Sequence, residues 1–113
     1  MRVAIVGLDD AGFVSALRER GAEVLPAPAP DLDLAFLMVH EAGDLERLAE
    51  LRPLIFPGGA IWVLRVKGPA ATVHELQVID AGQRHLLVDN KIASFSDTLT
   101  AARLVVRVAM RGR

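Results

Sequence analysis

The chain has 113 residues, 52% of them hydrophobic, and a formal net charge of −1. One domain spanning residues 1–113 is expected, long enough to bury about two thirds of its unfolded surface without a metal or a disulfide. The lack of cysteine excludes disulfides and thiolate metal sites, and the near-neutral charge offers no electrostatic footprint for nucleic acid or an anionic membrane.

The first element is "RVAIVG" (2–7), a short β-branched run stopped by glycine that reads as a buried strand. Asp9 or Asp10 can then cap a helix that places Phe13, Val14 and Leu17 on one face, with Gly21 closing it. "AEVLP" (22–26) predicts a second, short strand, and "APAPD" (27–31) an extended connector. The nearly continuous apolar run "LDLAFLMVH" (32–40) suits a central parallel strand covered on both faces. "GDLERLAELRPLI" (43–55) predicts a helix, with Leu45, Leu48 and Leu51 on one face and Pro53 limiting its end. "PGG" (57–59) reads as a turn before the strand "AIWVLRV" (60–66), and "TVHELQVIDAG" (72–82) as a shorter helix. "HLLVDNKIASF" (85–95) and "AARLVVRVAM" (101–110) are strand-like, joined through "SDTLT" (96–100) as a hairpin, and "MRGR" (110–113) is expected to fray. Alternating early elements imply a mostly parallel, three-layer α/β sheet of Rossmann-like type, with the last strand antiparallel.

The turn after the first strand, Gly7-Leu8-Asp9-Asp10-Ala11-Gly12, has two of the three glycines of a dinucleotide-binding fingerprint. The middle position, where backbone must approach a pyrophosphate, is Asp9. A carboxylate about 5 Å from a phosphate charge costs roughly 3 kcal/mol at an effective dielectric of about 20. The acidic ribose ligand expected after the second strand is replaced by Pro26-Ala27-Pro28. The turn therefore reads as a capped strand–helix junction. No cofactor is expected, neither adenosylmethionine nor NAD.

Two longer stretches carry a resemblance. "DLDLAFLMV", a helix, and "LRPLIFPGGAIWVL" together resemble the second half of class I methyltransferase-like domains. "LIFPGGAIWVLRVKG" followed by "LLVDNKIASFSDTLTAARLVVR" is similar to a family of short bacterial proteins of unknown function. That family carries a W-V-x-x-P-K strand, then G-L-V-D-N-K-V, then D-E-T-W-S-G-L-R-L-V. Here Val66 stands for the proline before Lys67, and Leu99 for the tryptophan. The resemblance implies a degenerate methyltransferase-like sheet of order 2-1-3-4-6-5 and supplies no activity.

In open α/β sheets ligands sit beyond the carboxyl ends of the parallel strands. Those ends offer Asp9, Asp10, His40, Glu41, Arg65 and Lys67, from which a general base and a cationic anchor for an anion could be built. The same residues also suit a solvated loop rim with ion pairs. Asp89, Asn90 and Lys91 interrupt an apolar strand, as a bulge or, with Asp97, as a polar site of the family type. Trp62 is expected in the core. His74 and His85 have no second ligand at metal spacing, so no metal site is expected.

No apolar run approaches the ~20 residues of a membrane span, and a soluble cytoplasmic protein is expected. Two functional readings follow. One is a non-catalytic domain that acts by self-association, as a homodimer, or by binding another protein. The other is a binder of a small anionic or nucleotide-like molecule, or an enzyme, at the polar rim.

Overall fold

The computed structural model describes residues 1–106. Six strands form one sheet: β1 Arg2–Val6, β2 Glu23–Val24, β3 Leu32–Met38, β4 Ile55–Val66, β5 Leu87–Ser94 and β6 Leu99–Val106. Their order is β2-β1-β3-β4-β6-β5. β2, β1, β3 and β4 are parallel, and β6 runs antiparallel to both β4 and β5. This is the mixed α/β sheet that the alternating elements imply, in the strand order that the resemblance implies.

Topology decides where the helices go. The chain moves one way across the sheet from β1 to β2 and the other way from β3 to β4. With right-handed crossovers the intervening helices fall on opposite faces. α1 (Ala11–Glu19) therefore lies on one face. The segment of residues 42–54, which contains α2 (Leu48–Leu51), lies on the other. The step from β4 to β5 continues in the second direction, so α3 (Glu75–Arg84) joins α2.

The α2–α3 face is sealed by Leu37, Ile61, Val63 and Leu104 from the sheet, meeting Leu45, Leu48, Leu51, Val78 and Ala81. The α1 face holds Val3, Phe36, Met38, Leu64 and Ala101, with half-buried Phe13, Leu17, Trp62 and Phe95 packed against them.

Helix α1 is built as its sequence directs. Asp10 caps it, its Oδ1 accepting from Phe13 N at 2.9 Å. At the other end Gly21 N donates to Arg18 O and Ala22 N to Leu17 O, both at 3.0 Å, which closes the last turn on a positive-φ glycine.

Several boundaries differ from the sequence reading. The second strand shrinks to two residues, because Pro26 and Pro28 cannot donate to a ladder. Residues 43–55 form a 3-10 helix (Ala42–Arg47), one α-turn and a second 3-10 turn (Arg52–Leu54), not one α-helix. Leu45, Leu48 and Leu51 repeat every three residues, the 3-10 period, and Pro53 cannot donate to an α-helical ladder. "PGG" is not a turn but part of β4, in a bulge between the pairs Leu32↔Ile55 and Leu34↔Ala60. A Cβ on Gly59 would lie 2.6 Å from Asp33 O, so only glycine lets β4 approach β3 there. α3 starts at Glu75 and runs to Arg84, and β5 begins at Leu87 once Leu86, at φ 63, has turned the chain. The last strand starts earlier, at Leu99; residues 107–110 of its predicted span, and the tail to residue 113, lie outside the described residues.

Candidate functional site

The carboxyl ends of β1, β3 and β4 bring the predicted rim to one edge of the sheet. Gly7 leaves β1 at φ 78, and a Cβ there would sit 3.0 Å from Met38 O. Its lack of a side chain serves contact with β3. Gly12 has no such role: the nearest atom to a Cβ would be Asp10 Oδ1 at 3.5 Å, so close helix–strand packing does not depend on it. Asp9 is exposed, and Asp10 is engaged as the helix cap.

After β3, His40 and Glu41 are exposed, and both backbone N–H groups donate to Asp44 Oδ2, at 2.8 and 3.1 Å. The bond from His40 N–H, then that from Glu41 N–H, holds the Asp44 carboxyl below its ordinary value. The Thr72 hydroxyl donates to His40 O, tying this loop to the one before α3. After β4 the two cations part. Arg65 Nη1 donates to Val73 O at 3.3 Å, and Lys67 Nζ to Ser94 Oγ at 2.9 Å. Asp44, missed as a rim residue from sequence, is thus the organiser of this edge. Its signal is an acidic side chain three residues after an extended N-cap.

The second predicted cluster is not gathered in one place. Asp89, Asn90 and Lys91 are exposed in a bulge of edge strand β5, between the pairs Asp89↔Leu104 and Lys91↔Arg103. Asp97 is exposed in the turn beyond the strand's end. His74 is the N-cap of α3, its N–H donating to Gln77 Oε1 at 2.8 Å. His85 closes the helix, with Nε2 3.8 Å from Glu46 Oε2. Arg84 Nη1 reaches Glu46 at 3.0 Å and Arg84 Nε reaches Asp80 at 3.1 Å, on the surface. Glu46 first, then Asp80, raises the Arg84 pKa. Among the described residues no group of His, Asp and Glu side chains could hold a metal ion, and no helix is long and apolar enough to cross a membrane.

A cavity on the α1 face adjoins that rim, through Ser94, which accepts from Lys67, and Phe13, whose N–H donates to Asp10. It has a volume of about 280 Å³ and is lined by Phe13, Phe36, Trp62, Ala93, Ser94, Phe95 and Ala101. Phe13 stands edge-on to both Phe36 and Phe95, with ring centroids 4.9 Å apart in each pair. The chain has four phenylalanines, one tryptophan and no tyrosine, and all of these but Phe56 line this groove. Trp62 is half-buried there and not enclosed in a core. Sequence order gives no sign of the groove, because Phe13, Phe36, Trp62 and Phe95 come from four different elements. Strand alternation alone could have paired Trp62 with Leu64 on one face.

No protein-family model matches the chain, and no curated protein matches it in sequence. Solved structures do match in fold. A methyltransferase of calicheamicin biosynthesis, in its S-adenosyl-L-homocysteine-bound form, superposes with a TM-score of 0.71 at 16% identity, over 94% of this chain and 49% of its own. A SAM-dependent methyltransferase from Bacteroides fragilis, in complex with S-adenosyl-L-homocysteine, gives 0.70 at 12% identity, over 96% of this chain and 73% of its own. A SAM-dependent methyltransferase from Aquifex aeolicus gives 0.62 at 18%, over 94% and 82%. The likeness is one of fold, and the chain spans about half the length of the first of these.

The cofactor such a fold implies, adenosylmethionine, does not fit the residues present. The glycine at the end of β1 packs against Met38, and in the first turn of α1 the Phe13 N–H is already bonded to the Asp10 side chain. β2 runs into Leu25-Pro26-Ala27-Pro28, with no carboxylate at its end to receive ribose hydroxyls.

Proposed function

We propose that this chain is a non-catalytic Rossmann-like domain that acts by binding, through the groove on the α1 side of its sheet. The observation that supports this is the unequal covering of the two faces. Three elements seal one face, whereas among the described residues α1 is the one helix over the other and contributes no fully buried side chain. The strand-end rim supports catalysis less well. Asp10, Asp44, Arg65 and Lys67 are each bonded within the chain, which is what a structural edge requires. A thermal-shift screen against adenosylmethionine, NAD and nucleotides tests the non-catalytic reading. No shift is expected, whereas a ligand at 100 times its dissociation constant adds about 2.7 kcal/mol. A shift lost on replacing both Arg65 and Lys67 by alanine returns the function to the rim.

Self-association is a second form of the proposal, favoured by a separate observation. Leu76, Leu86 and Ile92 expose 77%, 40% and 44% of their surface on α3, at the α3–β5 turn and on edge strand β5. The bulge at Asn90 and the charges beside it discourage strand-to-strand pairing at that edge, so a homodimer would form through these side chains. Sedimentation equilibrium at micromolar concentration should give a concentration-dependent mass that falls to the monomer in Ile92→Lys. A monomer mass across the dilution series removes this form.

A further inference from the structure

The groove does not end in apolar surface. Across β4, β6 and β5 the strand registers lay out successive rows on the α1 face. One row is Leu64, Ala101 and Ala93, and its two alanines make a floor of small side chains. The next is Trp62, Arg103 and Lys91: Trp62 pairs with Arg103, and Arg103 pairs with Lys91. Strand alternation puts Arg103 on the side of Ala101 and Lys91 on the side of Ala93. Two cations therefore stand directly opposite each other at the end of an aromatic groove.

Like charges in that position destabilise a sheet. Among the described residues nothing answers them: neither Arg103 nor Lys91 has a hydrogen bond or ion pair there. Neither row carries an acidic side chain. A second copy laid groove on groove would bring four cations together, so self-association does not resolve the charge. A molecule with an apolar body and a carboxylate does: its body lies on the alanine floor between the aromatic rings, and its carboxylate reaches the Arg103–Lys91 pair. The volume of about 280 Å³ sits at the small end of ligand pockets and suits a compact molecule.

We propose that the groove binds a small apolar carboxylic acid, anchored by Arg103 and Lys91. This rests on the groove being the binding face and adds the ligand's chemistry. Trp62 is the chain's only tryptophan and lines the groove, so its emission reports occupancy. The full chain is titrated with sodium 4-phenylbutyrate and with 4-phenylbutanamide, which keeps the ring and chain but has no charge. The acid should change Trp62 emission saturably, with a dissociation constant at least about tenfold lower than that of the amide. The double variant Lys91→Gln, Arg103→Gln should melt no lower than the parent, bind the amide unchanged and lose the preference for the acid. Ala93→Leu, which fills the floor, should weaken both. Equal affinity for acid and amide in the unaltered protein overturns the carboxylate assignment and leaves the groove as a binding face. No saturable response to either, or a response that survives Ala93→Leu, overturns both.

Discussion

The two faces of the sheet are made from the same strands with the same alternation, yet they end differently. On the α2–α3 face Leu37, Ile61, Val63 and Leu104 have no exposed surface. On the α1 face the equivalent positions include Trp62 and Arg103, both half-buried, and the helix above them has no buried residue. The strands are apolar on both sides, so the difference arises from how many helices arrive. The α2–α3 face is the more completely buried, and the α1 face keeps half-buried surface.

The comparison can be broken most directly by equal truncations on the two sides. Leu104→Ala, at a fully buried site against α3, should lower unfolding free energy in urea by about 2–5 kcal/mol, and Leu17→Ala on α1 by about 1 kcal/mol. Comparable losses would mean that the α1 face is as tightly packed as the other. Two glycines sharpen it. Gly59→Ala forces a Cβ against Asp33 O and should cost about 1–3 kcal/mol, whereas Gly12→Ala meets nothing closer than 3.5 Å and should be neutral or stabilising by up to ~1 kcal/mol. Calorimetric melting of both variants reads the difference.

Asp44 probes the loop that leads into α2. Its pKa is lowered in the folded chain, so its contribution is present above the unfolded value of 3.8 and is lost as pH falls through the folded one. Asp44→Asn should therefore flatten the loss of stability below about pH 4 without changing its slope above pH 5. A curve that falls as steeply as the parent's assigns the acid sensitivity to other carboxylates. The smallest effect belongs to the open face. Lys91→Glu turns a like-charge pair with Arg103 into an opposite one and should stabilise the chain by about 0.2–1 kcal/mol. A loss of stability would show that Lys91 already has a favourable environment.

Much of the fold is legible in the residues. The β-branched run before Gly7, the apolar run of β3, the Asp10 cap and the Gly21 stop all act locally, and local physics is what a sequence displays directly. The segment around Leu45, Leu48 and Leu51 is only half legible. A three-residue repeat shows one apolar face, but whether the backbone winds as an α-helix or a 3-10 helix depends on fitting Leu45, Leu48 and Leu51 onto the sheet. The rim is legible as an edge and not as a set of contacts: nothing in the chain order of Arg65, Val73, Lys67 and Ser94 says that one cation turns to the loop before α3 and the other to β5.

The sequence by itself determined that there are six strands and their order along the chain, the ends of α1 to within a residue, and, through alternation, which side chains of one strand share a face. Alternation assigns a residue to one of two faces without saying which will be covered. That was decided by the direction of each crossover, β1 to β2 one way and β3 to β4 and β4 to β5 the other, which under the right-handed rule sends the helices to opposite faces. The groove is the residue of that asymmetry. Phe13, Phe36, Trp62 and Phe95 become neighbours only when one helix, two strands and a hairpin turn have been placed, because the contacts that join them span most of the chain.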